Sequence, residues 1–294
     1  MGAVIYHITY VLIRFITLFP LGMLYGLSYP LFFVLYVFPG YRRKVTRTNL
    51  LNSFPGKSIG EIRKIERRFY MHLSDIFIES LKSLHMTESE FRKRYVILNP
   101  ELPLSIIDSG RDVLIIGAHY NNWEWFISMP MSVPVKTITV YKPLKDRRFD
   151  KMMYRMRSRF GMILSPMSHI VRDIISCRKK GGNLIAAFIA DQTPPRGDIK
   201  FWTTFLNQDT PVYLGPEKIS SRFGMKVLFI NVKKIKRGKY EVLFEELPEE
   251  PGSKNEHAVT EAHTRRLEEI IREKPEYWLW THRRWKHRRT NTDG

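Results

Sequence analysis

Residues 112 to 125 read DVLIIGAHYNNWEW, and this stretch decides how the rest of the chain is read. Its first half is an unbroken run of Val, Leu and Ile, as expected of a strand buried on both faces in a parallel sheet. Its second half puts Asn121 and Asn122 ahead of two tryptophans, which signals a helix starting near those asparagines. The residue between strand and helix then sits at the carboxyl end of the sheet, where α/β proteins gather ligand chemistry. His119 holds that position, and Glu124 falls in the first turn of the helix. On one continuous helix, five residues turn through about 500° and leave the two side chains about 140° apart. Across a bend they can meet. His119 is therefore a candidate general base, with Glu124 fixing its tautomer and stabilising the imidazolium that forms. The plainer reading is a histidine satisfied by local hydrogen bonds. Zinc fits less well, because the helical His/Glu/His spacing is absent and no cysteine lies nearby.

The pattern extends in both directions. Apolar strands are expected at 112–119, 135–141, 162–166, 183–191, 225–234 and 240–247, with helices over 147–160 and 169–180, the latter stopped by Gly181 and Gly182. Upstream, Ser58 with Glu61 and Thr87 with Glu90 have the spacing of capping boxes, the first opening an amphipathic helix marked by Ile62, Ile65, Phe69, Leu73 and Ile76. The fold class is α/β, a largely parallel central sheet flanked by helices. With 294 residues and 44% hydrophobic side chains, the chain can bury one catalytic-sized core. A single cysteine, Cys177, rules out an intramolecular disulfide framework.

The N-terminus is different in character. Residues 15 to 39 carry no charge, and as one helix they would extend about 37 Å, enough to cross a hydrocarbon core of about 30 Å. Pro20 and Pro30 would kink that helix or split it into a shallow hairpin, and a buried core helix is the alternative. The basic residues Arg42, Arg43, Lys44 and Arg47 follow, which keeps the downstream chain on the cytoplasmic side. The expected division is residues 1–40 as a membrane-anchoring helical segment and 41–294 as the catalytic domain. The formal charge of +19 calls for anionic partners.

Other polar groups reach the same sheet edge. Asp191 and Gln192 end the strand at 183–191, where an ordinary Asx-turn before Pro194 is the plain alternative. Arg155, Arg157 and Arg159 alternate along a helix, so neighbours in that series point different ways. The run YWLWTHRRWKHRR (277–289) interleaves tryptophans with Arg283, Arg284 and Lys286, which suits a phosphate clamp, an active-site wall, a headgroup interface or stacked bases, while 290–294 reads as a frayed end.

The ordered set of His119 with Glu124, YKP (141–143), Arg157 four before Gly161, ADQ (190–192), FLNQDTPVYLGP (205–216) and WTHRRWK (280–286) resembles the lipid A biosynthesis lauroyl/myristoyl acyltransferase family, within the glycerolipid acyltransferase superfamily. The segment YRRKVTRTNLLNSFPGKSIGEIRKI (41–65) extends the likeness to nearly the whole chain. The resemblance implies transfer of a fatty acyl chain from acyl carrier protein to a hydroxyl of a lipid A precursor at the cytoplasmic face of the bacterial inner membrane, without a cofactor. It implies His119 and Glu124 as the catalytic pair and Arg157 and Asp191 as conserved polar positions. One departure is Asn207, where the family commonly has glycine. An amino-acid-based lipid or a lysophospholipid is the alternative acceptor. A membrane-tethered nucleic-acid-binding protein is a different class of reading, opposed by the apolar segment and the His/Glu pair.

Overall fold

A seven-stranded sheet organises the molecule, in the order β1 (Tyr95–Ile97), β9 (Lys239–Glu246), β8 (Lys226–Lys236), β2 (Val113–Gly117), β5 (Leu184–Ile189), β3 (Lys136–Tyr141) and β4 (Ile163–Pro166). The computed structural model describes residues 3–247 and 257–289, so the expected frayed end at 290–294 lies outside it. β2 runs parallel to both β5 and β8, and β3 parallel to β5 and β4, while β8 and β9 form the antiparallel pair. All six expected strands are present. The sequence reading missed β1 and a separate two-stranded hairpin of β6 (Trp202–Phe205) and β7 (Gln208–Pro211).

The central strands lack strict hydrophobic alternation because both faces are covered. Leu114, Ile116, Ala186 and Phe188 pack beneath the long helix Ile59–Lys82 and the helix Ala258–Glu273, whereas Val113, Ile115, Ile185 and Ala187 pack on the other face against Met129 and Val133. Both expected capping boxes form, at Ser58/Glu61 and Thr87/Glu90, with each side chain bonded to the other residue's backbone N–H. Asn207 is explained by its backbone. Leu206 and Asn207 have φ of 50° and 61° at the β6–β7 turn, a conformation glycine favours and asparagine tolerates better than most residues. The asparagine also adds a bond, from Nδ2 to the Ser53 carbonyl at 2.9 Å.

The reading of residues 15–39 as one spanning helix is corrected. Among the described residues no helix is long and apolar enough to cross a membrane. The helix Ala3–Ile16 ends before Pro20, which takes an extended backbone conformation and starts the short helix Leu21–Leu24; the chain then continues through brief helical pieces to Val37. Leu21, Leu24 and Tyr25 are buried against Ile76 and Ile78 of the long helix. Ile8, Val11, Leu12, Phe15, Leu18, Phe33 and Phe38 remain exposed. This segment therefore has one face on the body of the protein and one apolar face on the outside.

Candidate active site

The bend after β2 is held from both sides. Asn121 takes a left-handed φ of 52° and donates through Nδ2 to the Val232 carbonyl at 2.6 Å. Asn122 caps the following 3₁₀ helix, Trp123–Met131, by accepting from the Trp125 N–H at 3.1 Å, and its Nδ2 donates to Glu79 Oε2 at 2.6 Å. Glu79 is buried in the long helix and also accepts from Tyr25 at 2.6 Å and Tyr240 at 2.8 Å. Burial pushes the Glu79 pKa up, against the opposing effect of the two tyrosine bonds. The helix start predicted at Asn121 or Asn122 is correct, and the asparagines also act as structural pins.

His119 finds Asp191 rather than Glu124 as its hydrogen-bonding partner. Gly117 pairs with Ile189 across β2 and β5, so two residues later His119 and Asp191 emerge side by side. His119 Nδ1 lies 2.7 Å from Asp191 Oδ1, and the His119 backbone N–H donates to Oδ2 at 3.1 Å. Trp278 Nε1 donates to the same Oδ2 at 2.8 Å. The buried carboxylate thus accepts three bonds. The C-terminal segment completes the support, since Leu279 N–H donates to the His119 carbonyl at 3.1 Å and Asn121 N–H to the Tyr277 carbonyl at 2.9 Å. Burial works against a charged imidazole, but Asp191's charge and hydrogen bond, with a further contribution from Glu124, outweigh it and raise the His119 pKa. Burial likewise opposes ionised Asp191, yet His119 and Trp278 hold its pKa below the ordinary carboxylate value. With Nδ1–H fixed on Asp191, Nε2 is the acceptor nitrogen, and the Gln192 amide nitrogen lies 3.4 Å from it.

Glu124 instead grips Arg157. Arg157 Nη2 donates to Oε1 at 2.8 Å and Oε2 at 3.0 Å, and Nε to Oε2 at 3.2 Å. The pair is mostly buried, and Nη1 carries no hydrogen bond to any of the described residues. The planar fork fixes the guanidinium in a way that a lysine would not reproduce.

These groups meet at a cavity of about 630 Å³, lined by His119, Glu124, Arg157 and Gln192 together with apolar residues such as Phe126, Met162, Leu164 and Ala187. Gly117 also lines it, and a Cβ at that position would lie 2.7 Å from the Ile230 side chain. Tyr141, at the end of β3, contributes to the wall and hydrogen-bonds Asp150. Among the described residues no group of three or more His, Cys, Asp or Glu side chains is arranged to hold a metal ion.

Arg283 and Arg284 stand apart from the cavity lining. Arg283 is exposed. Arg284 is buried and donates through Nη1 to the Pro211 carbonyl at 2.8 Å, while its own carbonyl accepts from Thr193 Oγ1. Burial lowers its pKa to about 10, against the opposing charge of Asp191, so it remains a cation at neutral pH. His282 Nε2 accepts from the Thr193 N–H at 3.2 Å, and burial lowers its pKa to about 4. These contacts fix the loop that follows Asp191. Trp278 went unrecognised as a member of the site; its only sequence signal was membership of the tryptophan-rich C-terminal run.

A His–Asp pair at the carboxyl end of a parallel sheet, facing a largely apolar cavity beside a clamped guanidinium, is an arrangement suited to acid–base chemistry on a substrate with an apolar part. The chain belongs to the bacterial lipid A biosynthesis acyltransferase family, whose pattern it matches over residues 3–287. It is similar to the lipid A biosynthesis palmitoleoyltransferase of Escherichia coli (strain K12), at 24% identity over 249 residues, covering 84% of this chain and 79% of that protein. The same identity and coverage relate it to a lipid A biosynthesis acyltransferase of Shigella flexneri. Family membership makes this protein an acyltransferase of lipid A biosynthesis.

Proposed function

We propose that the enzyme transfers a fatty acyl chain directly from an acyl carrier protein thioester to a hydroxyl of a lipid A precursor, with His119 as general base. The observation that carries this reading is the His119–Asp191 pair, whose imidazole lines the apolar cavity. His119 Nε2 takes the hydroxyl proton as the oxygen attacks the thioester carbonyl. The new C–O bond forms, the C–S bond breaks, and the imidazolium returns the proton to the departing thiolate. Asp191 fixes the tautomer and stabilises the transient cation. Arg157 Nη1, held in place by Glu124, is the donor for the developing oxyanion, so Glu124 acts mainly by aiming that guanidinium. General-base help is worth about 10²- to 10⁴-fold, and positioning and oxyanion stabilisation supply the remainder. Apolar residues such as Phe126, Met162 and Leu164 sheath the acyl chain.

The enzyme works at the cytoplasmic face of the inner membrane. Residues 1–40 act as its anchor by lying in one leaflet, with Ile8, Val11, Leu12 and Phe15 in the apolar layer, and residues 41–294 form the catalytic domain. Exposed Arg283 contributes to the phosphate-bearing side of the acceptor. The test is incubation of the purified protein with acyl carrier protein thioester and a panel of acceptors: a phosphorylated glucosamine disaccharide lipid, a lysophospholipid and an amino-acid-based lipid. Acylation of the disaccharide lipid alone is expected; preferential acylation of either other acceptor refutes the assignment.

A further inference from the structure

A second pocket, of about 310 Å³, lies between the N-terminal helix and the helix Arg147–Arg157. Arg148, Lys151, Met152, Arg155 and Met156 recur at three- and four-residue intervals and form one face of that helix, continued past its end by Arg159. Arg157 is two residues from Arg155, about 200° around the axis, so the helix aims one guanidinium at the catalytic cavity and a row of cations the other way. Tyr6, Tyr10 and Arg14, spaced four apart on the N-terminal helix, close the opposite wall. Among the described residues no carboxylate lines the pocket. Arg148 is compensated by Asp146 at 3.5 Å, so the cations that bear on an anion here are Arg14, Lys151, Arg155 and Arg159. His85 orients Arg14: its Nε2 accepts from Arg14 Nε at 3.4 Å, and its Nδ1 lies 2.6 Å from Thr17 Oγ1. The His85 pKa is lowered by burial and then by Arg14, Lys82 and Arg159, as expected in a field without a compensating acid.

The ligand class follows from where the cations sit. Ile8, Val11 and Phe15, exposed by 63%, 64% and 60%, occupy the side of the N-terminal helix opposite Tyr6 and Tyr10. A helix with side chains is about 10 Å across, so an anion in the pocket lies at headgroup depth when the apolar face enters the hydrocarbon. Tyrosines favour that depth as well. The volume, at the low end for ligand pockets, suits a small anionic group better than the broad acidic surface of a carrier protein. We infer that this pocket, formed where the N-terminal helix crosses the cationic row of the helix Arg147–Arg157, binds the phosphate of a membrane lipid headgroup. The inference rests on the one-leaflet seating proposed above.

The test is co-sedimentation of the full chain with vesicles of phosphatidylcholine alone, or doped with phosphatidic acid or with oleic acid to equal surface charge. Wild-type protein should prefer the phosphatidic acid vesicles. Lys151→Gln/Arg155→Gln/Arg159→Gln should weaken that binding at least about tenfold, from a contribution on the order of fivefold per cation, and leave binding to phosphatidylcholine unchanged. Unchanged phosphatidic acid binding in the variant overturns the inference. An equal loss on oleic acid vesicles reduces the pocket to a general cationic surface, and full displacement by inorganic phosphate reassigns it to a soluble anion. Unchanged vesicle binding with weakened acyl carrier protein binding reassigns it to an acidic protein. Failure of the seating itself is distinguishable, because it appears as lost binding to phosphatidylcholine alone.

Discussion

Replacing Asp191 with asparagine keeps the shape of the site and changes its electrostatics. The carboxylate accepts from the His119 backbone N–H, from His119 Nδ1 and from Trp278 Nε1. An amide supplies one accepting oxygen and one NH₂, so it can serve one edge of this arrangement only by presenting hydrogens to the other. If the NH₂ faces His119 Nδ1, the imidazole takes the opposite tautomer and Nε2 carries the proton it should accept. If it faces the Trp278 indole, that indole and the His119 backbone N–H both lose their acceptor, at a cost of about 1–3 kcal/mol for each buried donor left unpaired. The first outcome should lower kcat by on the order of 10⁴, the scale on which a triad loses activity when its carboxylate becomes an amide. The pH profile supplies a second readout. His119 acts as a base only when neutral, so its raised pKa places the acid limb of the wild-type profile above the ordinary histidine value of about 6.5. Removing the Asp191 charge leaves burial dominant, and the residual activity of Asp191→Asn should show an acid limb at lower pH. The assay is acyl transfer from carrier protein to the lipid acceptor across pH 5 to 9, with circular dichroism confirming the fold. A kcat within about tenfold of wild type and an unmoved acid limb would refute the reasoning.

The remaining predictions concern the clamp, the cavity, the C-terminal arginines and the linkage to stability. Glu124→Ala and Arg157→Ala should each lower kcat at least about 10²-fold, and the double variant should be little worse than either single one, because both remove the same oriented guanidinium; fully additive losses measured by the same assay would separate their roles. Ala187→Leu, which fills part of the cavity, should shift acyl preference toward shorter chains in a competition between carrier protein thioesters, and an unchanged preference would place the chain elsewhere. Arg284→Ala should destabilise the fold by more than about 1 kcal/mol in urea titration, whereas exposed Arg283→Ala should leave stability unchanged and raise KM for a phosphorylated acceptor more than for one lacking phosphate. His119, with its pKa raised, contributes stability below about pH 6.5 that is lost as pH rises through its folded value, while Asp191, with its pKa lowered, contributes stability above about pH 3.8 that is lost as pH falls through its own. The Tm deficit of His119→Gln should therefore be largest between about pH 4 and 6.5 and shrink at higher pH.

Much of this architecture was legible because its signals are local. The runs VLIIG and LIAAFI had to be buried on both faces, and Ser58/Glu61 and Thr87/Glu90 advertise helix starts that the structure contains. The hairpin β6–β7 was not legible, since QDTP is polar and its turn uses Leu206 and Asn207 rather than glycine. Within the site, His119, Glu124, Arg157 and Gln192 do converge on one cavity. Their pairing was not legible, because it depends on β2 lying beside β5 in a register that sets His119 against Asp191, a tertiary fact with no trace in sequence spacing. Trp278 is farther still, reaching Asp191 from the other end of the chain. For the N-terminal segment, hydropathy was visible but backbone geometry decided the outcome, with Pro20 breaking what charge counting alone would read as one spanning helix.

Direct transfer by a histidine base is the central claim, and intact-protein mass spectrometry during single turnover tests it most directly. With acyl carrier protein thioester and no acceptor, wild-type enzyme should remain at its unmodified mass; on addition of the lipid acceptor, acylated product should appear without an acyl-enzyme, and His119→Ala should form that product at least about 10²-fold more slowly. An acyl-enzyme that accumulates before the acceptor is added, or product formed by His119→Ala at the wild-type rate, would contradict the account.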